Sequence, residues 1–261
     1  LIQMKNKFSN FIESVKKMSF KILKENRKIS ITEKSDNDFV TDLDMSINEL
    51  ISILIKDHFG EQEEIFSEEK EWSKVKSKNF WLIDPLDGTS NMISNIPFFS
   101  ISIAKIENNS VVFGLVIDLI HGDVFHAFKG IGAYKNHHRI ENKNSVSNLL
   151  SISTGFLKKN SSNIELINEL LSLGKMRNLG SQALSLCYVA EGRLKLCIND
   201  EAMSWDDFAG FLILTEAKGK YLALSGLDPN NINNELLKMP LKSFAFNRNF
   251  KKSKKIIDLV E

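Results

Sequence analysis

Several residue types that would narrow the class of this protein are scarce. The chain of 261 residues has 2 Cys and 4 Pro, and its 34 Lys and Arg against 33 Asp and Glu leave a formal net charge of +1. Two cysteines are too few for a disulfide scaffold, and Cys187 and Cys197 stand in apolar runs without the spacing of metal ligands. We therefore expect buried, reduced thiols and no zinc site.

The balance of charge excludes a global basic field of the kind that attracts nucleic acid or an anionic membrane. Lysines do cluster between 251 and 255, where a solvated helix face is expected. No apolar run approaches the roughly 18 residues that a membrane span needs, and the N-terminus lacks the apolar core of a signal peptide. These absences predict a cytoplasmic protein that binds neither nucleic acid nor membrane.

What is present indicates a folded α/β protein. In the first half, apolar residues spaced by three or four positions predict a first helix from Phe8 to Leu23, and a second helix follows Asp44. Ile65 and Phe66 form a short predicted strand, and residues 80–83 form another. Between 98 and 134, β-branched and aromatic runs separated by short turns predict an antiparallel meander.

The pattern changes after the polar segment at 135–148. Short apolar runs alternate with helical stretches there, which is typical of strands covered by helices. The runs are at 150–153, 194–198, 220–224 and 243–246, and the helical stretches at 164–173, 181–191, 206–217 and 250–260. We therefore predict an N-terminal domain, 1–148, of helices and a largely antiparallel sheet, and a C-terminal α/β domain, 149–261.

Several acids lie where the backbone would hold them firmly, at the ends of predicted strands or the starts of predicted helices. They are Asp44, Glu68 or Glu69, Asp84, Asp87 and Asp206. Carboxylate oxygens in such numbers suit Mg²⁺ or a similar hard cation. Gly88 would let the backbone approach a ligand closely, and the free N–H groups after it could bind phosphate. The alternative for "DPLDG" alone is an ordinary surface turn.

The order and wording of four motifs resemble the inositol monophosphatase family of Mg²⁺-dependent, lithium-sensitive phosphatases. The motifs are "DFVTDLD" (38–44), "SEE" (67–69), "DPLDGTSN" (84–91) and "WDDFAGFLILTEAKG" (205–219), and "GSQALSLCYVAEGR" (180–193) is also similar. The resemblance runs through nearly the whole chain. It implies the layered αβαβα sandwich of the inositol monophosphatase and fructose-1,6-bisphosphatase type, two or three Mg²⁺ ions per active site, and a homodimer.

The resemblance also implies roles for single residues. One metal would be held by Glu68, Asp84 and the backbone carbonyl of Leu86. A second would be held by Asp84, Asp87 and Asp206, so that the N-terminal domain carries most of the ligands. Thr89, hydrogen-bonded to Asp44, would orient the attacking water together with Glu68 as a catalytic group. Phosphate oxygens would be bound by the backbone at Gly88 and Thr89, with Asp87 and Asp206 also facing the substrate.

The sequence departs from the family pattern where the alcohol of the ester would bind. Gln182 and Asn199 occupy positions expected to contact the substrate, and Asn199 replaces a glutamate of the inositol-specific members, which removes a carboxylate acceptor. Inositol 1-phosphate remains the leading substrate. Fructose 1,6-bisphosphate, 3′-phosphoadenosine 5′-phosphate and histidinol phosphate are alternatives within the family, and a regulatory binding protein is an alternative from another class.

Other polar residues near these motifs are expected to have ordinary roles. Asp42 and Asp207 are interpreted as surface acids, Glu69 as solvated, and His137 and His138 as part of a polar loop. Two residues stay open between a role at the site and a plain surface position. They are Lys34 and Asp38.

Overall fold

The computed structural model describes residues 2–25, 30–35, 38–70, 77–140, 148–248, 250–251 and 253–260. The helices in this part of the chain are α1 (Ile2–Glu25), α2 (Asp42–Phe59), α3 (Thr89–Ile93), α4 (Thr154–Lys159), α5 (Ile164–Leu173), α6 (Gln182–Glu191), α7 (Ser204–Glu216) and α8 (Ser253–Asp258). A short 3-10 helix spans Asn234–Leu236. None of these helices combines the length and the apolar character that a bilayer-spanning segment needs.

The strands are short and numerous. They are β1 (Ile31–Ser35), β2 (Asp38–Thr41), β3 (Ile65–Ser67), β4 (Phe80–Asp87), β5 (Ser100–Glu107), β6 (Ser110–Asp118), β7 (Val124–Phe128), β8 (Gly132–Lys135), β9 (His138–Arg139), β10 (Leu149–Ile152), β11 (Lys175–Arg177), β12 (Leu196–Asn199), β13 (Lys220–Ala223) and β14 (Ser243–Phe246). β1 and β2 form a separate antiparallel hairpin.

The first large sheet contains β3 to β9 in chain order. β3 pairs in parallel with β4, and every later neighbour is antiparallel, which confirms the predicted meander. The turn between β5 and β6 places Asn108 and Asn109 at φ of 50° and 60°. Asparagine tolerates this left-handed conformation, which matches the twist of a two-residue hairpin.

Helices cover both faces of this sheet. One core cluster joins α1 and α2 to side chains such as Trp81 and Leu115, and another joins α6 and α7 to Leu82 and Val116 on the opposite face. α7 approaches β6 at Gly114, where a Cβ would lie 2.6 Å from the carbonyl oxygen of Ala209. The absence of a side chain at this position therefore allows the helix that carries Asp206 to lie directly on the sheet.

The second sheet has the order β11-β10-β12-β14-β13. One face packs against α6 and α7 through residues such as Cys197 and Ala245, and the other packs against α5 and α8 through Leu150 and Phe244. The layers are thus helices, sheet, helices, sheet and helices, which confirms the αβαβα sandwich. The largest core cluster includes residues from both sides of residue 148, so the two-domain division stays a prediction.

Candidate active site

The buried strand β4 ends in two acids because its pairing with β5 is interrupted there. Asp84 pairs with Ser102 and Asp87 with Ser100, so one extra residue is accommodated between them. Within this bulge, the backbone N–H of Leu86 donates to Asp84 Oδ1 at 2.9 Å. Bulges of this kind re-aim side chains at the edge of a sheet, and here both carboxylates stay almost fully buried at 2% and 8% exposure.

A cavity of about 220 Å³ collects the residues that the motifs predict for the metals and the phosphate. Glu68 reaches it from the end of β3, which is fixed beside β4 by a hydrogen bond from the Glu68 N–H to the Ile83 carbonyl at 3.1 Å. Asp206 reaches it from the first turn of α7. The lining consists of Glu68, Asp84, Leu86, Asp87, Gly88, Thr89, Ser90, Gly180 and Asp206.

The carboxylates in this cavity disfavour one another's charge. Burial raises the pKa of Asp84 well above its ordinary value, and the carboxylates of Glu68 and Asp206 add to the rise. Burial likewise raises the pKa of Asp206 well above its ordinary value, followed by the charges of Asp87 and Glu68. No Lys, Arg or His among the described residues lines this cavity to balance these charges. A cation bound between the carboxylates would relieve their repulsion.

Asp87 also binds the start of α6. Its Oδ2 accepts hydrogen bonds from Ser181 Oγ at 2.5 Å and from the N–H of Ala183 at 2.7 Å, and its Oδ1 accepts from the N–H of Gln182 at 3.1 Å. Burial raises the pKa of Asp87 to about 6, and these hydrogen bonds oppose the rise. One carboxylate thus joins the turn after β4 to a helix from the second half of the chain.

Asp44 and Thr89 are close to each other, as the resemblance implies. Thr89 Oγ1 lies 3.2 Å from Asp44 Oδ1 and 3.0 Å from the carbonyl oxygen of Leu86, either of which can accept its proton. The other oxygen of Asp44 accepts from the backbone N–H of Thr41 at 2.8 Å and from the Thr41 hydroxyl. Burial raises the pKa of Asp44, and the hydrogen bonds from Thr41 oppose this.

Asn91 connects the turn after β4 to the segment that precedes α6. Its side-chain Nδ2 donates to the carbonyl oxygens of Phe98 and Leu179, both at 2.7 Å. Gly180 lies against this side chain, because a Cβ on it would be 2.6 Å from Asn91 Nδ2. Gly88, with φ of 100°, also has little space for a side chain, since its Cβ would lie 3.1 Å from the Gly180 carbonyl oxygen. These contacts bring the two segments together around the cavity.

The donor set fits Mg²⁺ chemically. It consists of carboxylate and backbone carbonyl oxygens, which are the ligands that Mg²⁺ prefers, and the negative charges of the buried carboxylates repel one another. Within the described residues, however, no three acid, His or Cys side chains already converge on one point as a metal-ligand set.

A second cavity of about 230 Å³ adjoins the first and shares Asp87, Gly180 and Asp206 with it. Gln182 and Asn199 line it, as expected for residues near the alcohol of a substrate. Their side chains bind each other, because Asn199 Nδ2 donates to Gln182 Oε1 at 3.0 Å. Asn199 Oδ1 accepts from the N–H groups of Glu201 and Ala202, so its polar atoms already have protein partners.

The interpretation of Asp207 as a surface acid is wrong. Asp207 is fully buried and accepts hydrogen bonds from Gln182 Nε2 at 2.6 Å and from the Tyr221 hydroxyl at 2.8 Å. Burial raises its pKa to about 6, and these hydrogen bonds oppose the rise. The error has a physical cause: α7 is covered by a sheet on each side, so a residue one position after Asp206 points into the protein and not into water.

The remaining polar residues lie largely where the sequence predicts. Asp42 and His137 are exposed, Glu69 is half-buried, and both cysteines are buried and free. His138 is also exposed, but it lies in the short strand β9 and not in a loop. The side chains of Lys34 and Asp38 lie outside the described part of the structure. Sequence reasoning missed Thr41, Ser181 and Asn91. Of these, Thr41 and Ser181 had local signals. A threonine three residues before an acid at a helix start is a capping box, and a serine directly before a helix is a preferred N-cap.

A family model described as "Inositol monophosphatase family" matches residues 4–248. The "Nus factor SuhB" of Pasteurella multocida is 35% identical over 205 residues, covering 76% of each chain. The "Fructose-1,6-bisphosphatase/inositol-1-monophosphatase" of Aquifex aeolicus is 33% identical over 210 residues, covering 77% of this chain and 79% of that protein. A solved structure of an IMPase from Thermotoga maritima superposes with a TM-score of 0.79 at 27% identity, covering 98% and 96% of the two chains.

Proposed function

The chain belongs to the inositol monophosphatase family, a family of Mg²⁺-dependent phosphatases, and we propose that it hydrolyses the monophosphate ester of a small, uncharged polyol. Inositol 1-phosphate is the leading candidate. The relatives include proteins named as an inositol-1-monophosphatase, as a fructose-1,6-bisphosphatase/inositol-1-monophosphatase and as a Nus factor, so their names do not single out one substrate.

The observation that carries the proposal is the contrast between two adjoining cavities. The first brings together carboxylates and backbone groups suited to metal ions and one phosphate. The second is lined by serine, asparagine and glutamine side chains, and among the described residues no Lys, Arg or His lines either cavity. A second phosphate on the substrate would therefore meet carboxylates and hydroxyls without a compensating cation. This favours a neutral alcohol with several hydroxyl groups.

The size of the second cavity supports the same choice. At about 230 Å³ it is below the roughly 300 Å³ at which pockets for drug-sized ligands begin. A sugar-sized polyol suits such a space better than the nucleoside of 3′-phosphoadenosine 5′-phosphate. The lining also lacks an apolar or aromatic surface on which an adenine or imidazole ring would stack, since Ile198 and Ala202 are its only apolar side chains among the described residues.

Each predicted site residue has a role in the proposed mechanism. Glu68, Asp84, the Leu86 carbonyl, Asp87 and Asp206 would hold two or three Mg²⁺ ions. Bound Mg²⁺ lowers the pKa of water, neutralises the phosphate and stabilises the leaving alkoxide. Thr89 Oγ1, oriented by Asp44, accepts a hydrogen bond from the attacking water and holds it in line with phosphorus. The backbone N–H groups of Gly88 and Thr89 bind phosphate oxygens.

A panel of esters tests the proposal directly. Purified protein with Mg²⁺ is expected to release phosphate from inositol 1-phosphate with a higher kcat/KM than from fructose 1,6-bisphosphate, 3′-phosphoadenosine 5′-phosphate or histidinol phosphate. Activity should disappear with EDTA and return with Mg²⁺. Release of phosphate from none of these esters would refute the proposal, and a preference for the bisphosphate would refute the argument from the cavity lining.

A second candidate function is a regulatory role in transcription, favoured by the 35% identity to a protein named Nus factor SuhB. The two functions are compatible, because a regulatory surface does not require the carboxylate cavity. Asp206→Asn separates them: it should abolish phosphate release and leave binding to a transcription complex unchanged. Absence of any such binding by the wild-type protein would remove this candidate.

Further properties follow from the family and belong to the same proposal. They are inhibition by lithium, a homodimeric state and a cytoplasmic location. Phosphate release measured against increasing LiCl, with KCl as the control for ionic strength, tests the first. Light scattering after size-exclusion chromatography tests the second, and fractionation of cells tests the third.

A further inference from the structure

Glu201 lies at the wall of the second cavity, at a position to which no motif points. Apart from Asp87 and Asp206, which border the first cavity, it is the only ionisable side chain among the described residues that line this space. It follows β12 by two residues and precedes α7. It is therefore well placed to contact the alcohol of an ester whose phosphate lies in the first cavity.

One oxygen of the exposed Glu201 carboxylate and the backbone N–H of the same residue each have a protein partner. Its Oε2 accepts a hydrogen bond from the backbone N–H of Gly155 at 3.2 Å, in the first turn of α4. Its own backbone N–H donates to Asn199 Oδ1 at 2.8 Å. Gly155 leaves the space that this arrangement needs, because a Cβ there would lie 2.3 Å from Glu201 Cδ. The glycine thus allows the carboxylate to lie over the start of α4.

The groups around Glu201 retain capacity to bind hydroxyls. In the described part of the chain its Oε1 makes no hydrogen bond, so it can accept one from a ligand. Ser153 Oγ, in the same lining, accepts from the N–H groups of Phe156 and Asp200, which leaves its own proton free to donate. Both residues line the same cavity, and together an acceptor and a donor match the two hydrogen-bonding capacities of an alcohol.

From this geometry we infer that Glu201 binds the hydroxyl groups of the substrate and selects polyol monophosphates against esters with a second phosphate. The inference rests on the proposed function, which it deepens. Glu201 supplies a carboxylate acceptor to a wall where Asn199 has none to offer. The same negative charge that accepts hydroxyl protons repels a second phosphate.

Two substitutions test the role of Glu201 by different routes. Glu201→Gln keeps the size of the side chain and removes its charge. Gly155→Ala keeps the charge and displaces the carboxylate, since the new methyl group occupies its place. Alanine is also the better helix former, so this variant should fold at least as well as the wild type. The matched control is Glu216→Gln, because Glu216 Oε1 accepts from the N–H of Gly130 at 2.7 Å far from both cavities.

Both variants are expected to raise the KM for inositol 1-phosphate about tenfold, the effect of one lost hydrogen bond to a charged group, with little change in kcat. The KM for p-nitrophenyl phosphate, which has no hydroxyl groups for Glu201 to bind, should change less than twofold. Glu201→Gln should also lower the KM for fructose 1,6-bisphosphate. Glu216→Gln should change none of these values. An unchanged KM for inositol 1-phosphate, or an equal rise for both monoesters, would overturn the inference.

A binding measurement separates failure of this inference from failure of the proposed function. Calorimetric titration of myo-inositol into the Mg²⁺-loaded protein with inorganic phosphate needs no hydrolysis. The wild type and Glu216→Gln should bind the polyol, and Glu201→Gln and Gly155→Ala should bind it about tenfold more weakly. If the wild type hydrolyses no ester but this difference appears, the proposed function fails and the hydroxyl subsite stands. If all four proteins bind equally, the subsite is refuted.

Discussion

The two adjoining cavities share Asp87, Gly180 and Asp206, but their linings differ in charge and in hydrogen bonding. In the first, burial and the charges of neighbouring carboxylates raise the pKa values of Asp84 and Asp206. In the second, the side chains of Gln182 and Asn199 already bind protein partners, and among the described residues Glu201 Oε1 and the Ser153 hydroxyl proton remain to bind a ligand. The repulsion between the carboxylates of the first cavity can be relieved by a bound cation. The second cavity instead presents polar groups that are already held in position to bind a neutral molecule.

The largest effect should come from removing a charge from the first cavity. Asp206→Asn is expected to lower kcat more than the about 100-fold that loss of an outer partner of a metal ligand costs. Because it removes one of the opposed buried charges, the variant should unfold at a higher temperature than the wild type in EDTA. Phosphate release and thermal unfolding with and without Mg²⁺ measure both effects. Near-normal turnover would contradict the assignment of Asp206.

The next effect should come from the group that positions the attacking water. Thr89→Ala is expected to lower kcat about 100-fold, at the lower end of the range for proton-transfer and positioning groups, with a small change in KM. Thr89→Ser keeps the hydroxyl and should recover most of the rate. Steady-state kinetics on inositol 1-phosphate measure the difference. Equal rates for the alanine and serine variants would show that the hydroxyl has no such role.

A smaller effect should follow when the side chain of Asn91, which connects α3 to the segment before α6, is removed. Asn91→Ala leaves the carbonyl oxygens of Phe98 and Leu179 without their donor and should lower kcat/KM about tenfold. The matched control is Asn163→Ala, which removes a donor to the Leu259 carbonyl at 2.8 Å away from the site. Both should unfold more easily by about 1–3 kcal/mol in urea titrations. If the control loses as much activity as Asn91→Ala, the effect belongs to stability alone.

The smallest effect on catalysis should come from substitution of Asp207, whose buried carboxylate binds Gln182 of the second cavity lining. Asp207→Ala removes the acceptor of Gln182 Nε2 and the Tyr221 hydroxyl, which should lower the free energy of unfolding by about 1–3 kcal/mol. Its kcat/KM should fall less than about tenfold, because Asp207 contacts no predicted metal ligand through its side chain. Urea unfolding and steady-state kinetics measure both. A loss comparable to Asp206→Asn would mean that the two adjacent acids share one role.

The sequence predicts the first cavity better than the second for a physical reason. Asp84, Asp87 and Asp206 each lie within a few residues of a strand end or helix start, so local patterns identify them. Asn91 contacts Leu179, and Gly155 contacts Glu201, across many positions of the chain, and such contacts leave no local periodicity. Asp207 was misplaced because one helical residue rotates the side chain by about 100°, here from the cavity into the core.

The fold predicted from the sequence is more complete than the site. Alternation of β-branched and aromatic residues identified the meander, and three- and four-residue spacing identified the main helices. The pairing of β10 with both β11 and β12 did not follow from the pattern, because strand order depends on which helices cover which face. The hairpin of β1 and β2 was also missed, since its polar residues lack clear alternation.

The position of α6 and α7 between the two sheets has a consequence for synthesis of the chain. A ribosome completes β3 to β9 before either helix exists, so the sheet face that includes Val116 and Ala127 must wait uncovered. Asp84 and Asp87 are made in the same interval, long before Asp206 can join them. The nascent protein therefore exposes this apolar sheet face to water and to chaperones until α6 and α7 have been synthesised.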